Sequence, residues 1–131
     1  MPYPIRHSVQ MYTLMSSQHQ QLIIRNLSLD APLACKKADA PLEPLQGLCR
    51  LETPEGERKG HVFLDTETFA VILKGSGSNY TLQEDAEFFR LKKHLLRCWI
   101  NLLRSRQATS ASQYKEQISV AKSVLKDLKC A

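Results

Sequence analysis

The sequence predicts an α+β chain, with a small antiparallel sheet of three to four strands packed against a C-terminal pair of helices. Three observations carry this. Residues 21–74 run in short apolar stretches separated by proline, glycine and aspartate turns. Residues 82–129 switch to a helical period. The length of 131 residues suits one domain, and the 24% of charged residues among 43% hydrophobic ones matches an ordinary globular chain rather than a disordered one.

In order along the chain, residues 1–20 carry Pro2 and Pro4 and then a Gln- and Ser-rich stretch. Val9, Tyr12 and Met15 are spaced for a weak helical stripe, and a frayed arm is the equal alternative. Gln21–Leu29 reads as a strand with Ile23, Arg25, Leu27 and Leu29 on one face and Leu22 and Ile24 on the other. Pro32, Pro41 and Pro44 forbid a regular helix or central strand, so residues 31–45 read as an extended loop. A three-stranded meander follows: Leu48–Thr53, Gly60–Leu64 and Thr68–Leu73, with turns at Pro54–Glu57 and Asp65–Glu67. The third strand is apolar on both faces and is expected in the middle of the sheet. The run 75–79, Gly-Ser-Gly-Ser-Asn, lacks the Lys-Ser/Thr or third glycine of a phosphate loop and reads as a flexible connector, although Lys74 and Asn79 beside it are potential anion contacts.

The first helix is expected from about Leu82 to Arg106, with Thr81 as N-cap and Glu84 at capping-box spacing. The second is expected from about Gln113 to Lys129, with Tyr114, Ile118, Ala121, Leu125 and Leu128 on one face.

Charge is unevenly placed. The formal net charge is +5, of which residues 1–60 carry +1 and residues 61–131 carry +4. On a wheel of about 100° per residue, Phe88 to Leu103 spread an apolar arc of roughly 200°. The remaining arc aligns Arg90, Lys93, Arg97, Asn101 and Arg104 over roughly 21 Å, and residues 88–114 hold no acid. Guanidinium groups match phosphate oxygens, so a line of cations points to a nucleic-acid backbone, DNA or RNA. A solvated or internally paired helix face and an acidic protein partner are the competing readings. No aromatic interrupts the line, so base stacking from it is not indicated.

Lys92 and Arg106 project on the apolar side, at a helix edge or at an opening where a ligand or subunit docks. Trp99 lies on the apolar arc as a core residue or an interface anchor. The width of the arc suggests a homodimer.

No catalytic motif is present. Cys98 and His94 stand one helical turn apart, which allows a thiol–imidazole contact, and a buried thiol beside a boundary histidine is the simpler reading. Cys35, Cys49, Cys98 and Cys130 are widely spaced, without C-x-x-C or H-x₃₋₅-H, so neither metal nor other cofactor is expected. No basic start with an apolar run and no span of membrane length is visible, so the chain is expected in the cytoplasm, away from membranes. The expected function is a small non-enzymatic nucleic-acid-associated or regulatory protein. The alternative is a protein-interaction module (an adaptor, inhibitor or accessory subunit) using the apolar helix pair.

Overall fold

A computed structural model describes residues 11–29, 45–106 and 111–130. The predicted α+β class holds, but the described sheet has six strands rather than three or four. These are β1 (Tyr12–Met15), β2 (Gln21–Leu29), β3 (Leu45–Thr53), β4 (Gly56–Leu64), β5 (Val71–Gly75) and β6 (Ser78–Tyr80), followed by α1 (Ala86–Arg106) and α2 (Ala111–Cys130). The strands lie in sequence order, each antiparallel to the next. The sheet curls until its ends meet: Ser16, after β1, bridges Leu82, after β6. Ser17 donates its N–H to the Thr81 carbonyl and Gln83 donates its own to Met15, both at 2.8 Å.

Two extra strands come from segments with weak periodicity. β1 occupies the stretch read as an arm or helical stripe. Its inward residues Tyr12 and Leu14 are buried, and the Ser16 hydroxyl shapes the turn to β2 by accepting from Gln20 N at 3.0 Å. β6 arises because the 75–79 run is a hairpin rather than a connector. Ser76 and Gly77, at φ 45° and 81°, form its two-residue turn, and both have the positive φ that matches strand twist in a type I′ turn.

The alternation predicted for β2 fails after Arg25. Asn26 takes φ 55° and the β2–β3 register shifts between Arg25 and Ser28. This bulge reverses the phase of the strand, so Leu27 and Leu29 pack toward the core with Leu22 and Ile24 instead of facing away from them. β5 lies inside the sheet as expected, but it begins at Val71 and one face is open, with Ile72 exposed. Phe69 lies in the preceding turn at φ 59°, and Asp65 organises that turn by accepting N–H bonds from Glu67 and Thr68. The concave face buries Leu22, Ile24, Leu51, Val62, Leu64 and Leu73 completely.

Gly60 and Gly75 face each other across β4 and β5, with Leu51 lying over both. A Cβ at Gly60 would stand 2.8 Å from Cys49 Sγ and 3.1 Å from Leu51 Cβ. Gly60→Ala should therefore cost about 1–3 kcal/mol by overpacking, read as a lower urea midpoint at unchanged slope. An unchanged midpoint would mean the sheet is looser there than the contacts imply.

α1 begins at Ala86, later than predicted, because Thr81 and Gln83 are committed to the β1 edge. Asp85 is the cap, accepting the Phe88 N–H at 3.0 Å. The broad apolar arc of α1 is covered within one chain: Leu91, Leu95, Leu96 and Leu103 are fully buried between the sheet and α2. That removes the uncovered surface from which a dimer was expected. Trp99, 1% exposed, is a core residue and has no surface left to anchor a partner. Lys92 is half-buried at the edge of a cleft of about 430 Å³ between α1 and the β5–β6 end, lined also by Ile72, Tyr80, Leu82 and Phe88. The cleft lies between α1 and the sheet, whereas the alternative reading of Lys92 placed an opening between the helices. Of the expected loop 31–45, Leu45 is instead the first residue of β3, and residues 31–44, like the side chain of Arg106, lie outside the described residues. Among the described residues, no helix is long and apolar enough to cross a membrane.

Candidate nucleic-acid interface

The predicted row on α1 divides into two parts with different work. Arg97, Asn101 and Arg104 are exposed and Lys93 is half-buried, all on the side of the helix turned away from the sheet. Arg90 belongs to the same line but is held by its neighbours. Its guanidinium pairs with Glu87, one turn earlier, with Nε and Nη2 at 3.1 and 3.0 Å from the two carboxylate oxygens. It also donates to the Met11 carbonyl and lies 4.1 Å from the Tyr12 ring centroid. The expectation of a row with no internal acid partner thus fails at Arg90, because Glu87 lies just outside the acid-free stretch and i,i+3 residues are neighbours on a helix.

Glu87 and Arg90 together fasten β1. Glu87 accepts the Thr13 N–H at 3.1 Å while Arg90 takes the Met11 carbonyl, and Gln83 and Thr81 take the groups of Met15 and Ser17. Every second residue of the outer β1 edge is therefore engaged. The Arg90 guanidinium, hydrogen-bonded to it, holds the Glu87 carboxyl below its usual range, with the Thr13 N–H adding to the effect. A depressed carboxyl stabilises the fold above the unfolded value, near 4.5, and that contribution disappears as pH falls through the lower folded value. Glu87→Gln should therefore be less stable than the parent at pH 6, with the gap closing as pH drops below about 4.5. Parent and variant share every other titrating group, so thermal melts of the two against pH isolate this carboxyl. A gap that stays constant to pH 3 would exclude the assignment.

The cation census separates the two surfaces of the molecule. Arg25, Arg50, Arg58 and Arg90 pair with Glu52, Glu57, Glu55 and Glu87. Among the described residues, Arg97 and Arg104 are the arginines whose side chains have no carboxylate partner.

A second row, missed in the sequence, stands on α2. Lys115, Lys122 and Lys126 are exposed at i, i+7 and i+11 and likewise lack a carboxylate partner among the described residues. They stand about 90° round the helix from the apolar row Tyr114, Ile118, Ala121 and Leu125, while Glu116 and Asp127 lie on the side opposite that row. On α1 the flank of Glu87 and His94 meets β1, which leaves the flank of Leu96, Ile100 and Leu103 to α2. Two long helices separated by four residues and packed side by side run antiparallel, and in that arrangement the lysine flank of α2 turns to the same side as Lys93, Arg97 and Arg104. The wheel used for the apolar face of α2 would have revealed this row, since the lysines have the same spacing.

Comparison with protein-family models, with curated protein sequences and with solved structures returns no match.

Cys98 and His94 do meet, with Sγ 4.0 Å from Nε2. Burial pushes the Cys98 thiol up, and burial together with Arg97 and Arg90 pushes the His94 imidazole down. Both groups are therefore neutral near pH 7, the opposite of an activated thiolate–imidazolium pair. Cys49 is a buried free thiol pushed up to about 11 by burial. Among the described residues, no three His, Cys, Asp or Glu side chains gather to hold a metal.

Proposed function

We propose that this chain is a non-enzymatic binding protein for nucleic-acid backbones, contacting phosphates through the helix pair. The observation that carries the reading is the contrast in pairing. Arginines of the sheet are matched with glutamates, whereas Arg97 and Arg104 stand exposed without one, flanked by Lys93 and the α2 lysines. Arginine and lysine without internal partners retain their full attraction for an external anion. Asn101, between Arg97 and Arg104, supplies an uncharged donor and acceptor in the same line. Arg90 drops out of the contact set, because binding would have to release it from β1.

The adaptor alternative has less support. The apolar surfaces that motivated it are consumed by packing between α1, α2 and the sheet, and Val120 is the exposed large apolar residue on the described part of the pair.

Fluorescence anisotropy with labelled single- and double-stranded DNA and RNA tests the proposal. Binding should fall with salt along a log–log slope of about −3 to −5, as expected for three to six neutralised phosphates. No anisotropy change at low salt would overturn it, as would binding indifferent to salt.

A further inference from the structure

A second concentration of donors lies on the convex face of the sheet, away from the helices. The register sets His61 opposite Lys74 and Lys74 opposite Asn79, and Lys59 shares the outward face of β4 with His61. With the β5–β6 turn they line a cleft of about 560 Å³ whose walls hold no carboxylate. We propose that this cleft binds the phosphate group of a small phosphorylated ligand, a site separate from the helix face.

The donors converge from three sources. Lys59 and Lys74 are exposed and have no carboxylate partner among the described residues, because the nearby Glu57 and Glu55 are taken by Arg50 and Arg58. Lys74 rests with Nζ 5.4 Å from the Phe63 ring centroid, an exposed cation–π contact that a phosphate readily replaces. The Gln46 side-chain amide lies 3.4 Å from His61 Nδ1. With that amide donating, the ring proton sits on Nε2 and supplies a further donor. The turn contributes hydroxyls of Ser76 and Ser78 and two backbone amides, Ser76 and Gly77, which lie beyond the last ladder pair, Gly75 with Ser78. Two ammonium groups, hydroxyls and turn amides outside the ladder, around one acid-free cleft, suit a dianion. The volume exceeds what a phosphate fills and leaves room for a small attached group.

The test is a ¹H–¹⁵N titration of the full chain at constant ionic strength, with inorganic phosphate in one arm and adenosine monophosphate in the other. Saturable shifts centred on Ser76, Gly77 and Ser78 are expected. Shifts in both arms assign the free anion as sufficient, and shifts with the nucleotide alone assign the ester. Lys59→Gln with Lys74→Gln should weaken the response at least tenfold while leaving nucleic-acid anisotropy intact, and Arg97→Glu with Arg104→Glu should leave the cleft response intact. No localised shift in either arm at millimolar ligand would overturn the proposal, as would an undiminished response in the lysine double variant. Neither outcome bears on the helix face.

Discussion

Reversing Arg97 and Arg104 together to glutamate should weaken nucleic-acid binding by about a hundredfold at low salt and flatten the salt slope by about two powers. Each substitution removes one phosphate contact and puts a repelling carboxylate in its place. Both side chains are exposed and without ion-pair partners, so the folded state loses nothing that was holding it together. The thermal midpoint should correspond to a stability change within about 0.5 kcal/mol. The matched control is Arg25→Glu with Arg50→Glu, which makes the same net-charge change on the sheet. If the control weakens binding as much as the helix variant, total charge and not the helix face is responsible, and the assignment falls.

Replacing Trp99 by alanine should remove about 3–5 kcal/mol, a large share of the about 5–15 kcal/mol that holds a domain together. Trp99 is 1% exposed, on the buried side of α1 amid Leu95, Leu96, Leu102 and Leu103. Its indole Nε1 is buried with no hydrogen-bond partner among the described residues. A buried unpaired donor costs about 1–3 kcal/mol, so Trp99→Phe, which deletes it, should cost distinctly less than the loss of ring volume suggests. Equilibrium urea unfolding of both variants decides the matter. A phenylalanine cost as large as its lost ring volume predicts, or larger, would mean the indole N–H is paired, and a negligible cost for alanine would remove Trp99 from the core.

The sequence made the helices legible and much of the sheet illegible, for physical reasons. α1 and α2 announce themselves because a wide apolar arc over five or six turns has no other explanation than burial on one side. The meander was readable where Pro54–Glu57 marked a turn. β1 escaped because a four-residue strand offers two inward side chains, Tyr12 and Leu14, too few to distinguish period 2 from period 3.6. β6 escaped because its residues, Ser78 to Tyr80, carry almost no apolar signal and are defined by the turn before them. The bulge at Asn26 is invisible to any counting of alternation, since one extra residue reverses the count. On the candidate site, the exposed line of α1 was readable, but the role of Arg90 was not. Its partners Met11 and Tyr12 lie 79 and 78 positions away, and Glu87 immediately precedes the acid-free stretch 88–114.

The sealing of the β1 edge fixes an order of events when the chain is made. Tyr12 to Met15 are made before α1 and can pair with β2 at once, since the two are joined by a five-residue turn. The groups that engage the other edge come much later: Gln83 bonds Ser16 across 67 positions, Glu87 bonds Thr13 across 74, and Arg90 bonds Met11 across 79. Contacts of such separation form slowly, because the intervening chain must first be ordered. Throughout that interval the hairpin carries an open edge of the kind that recruits strands from other chains. Closure arrives with the first turn of α1, so one helix terminus both completes the sheet and ends the nascent chain's exposure to strand exchange.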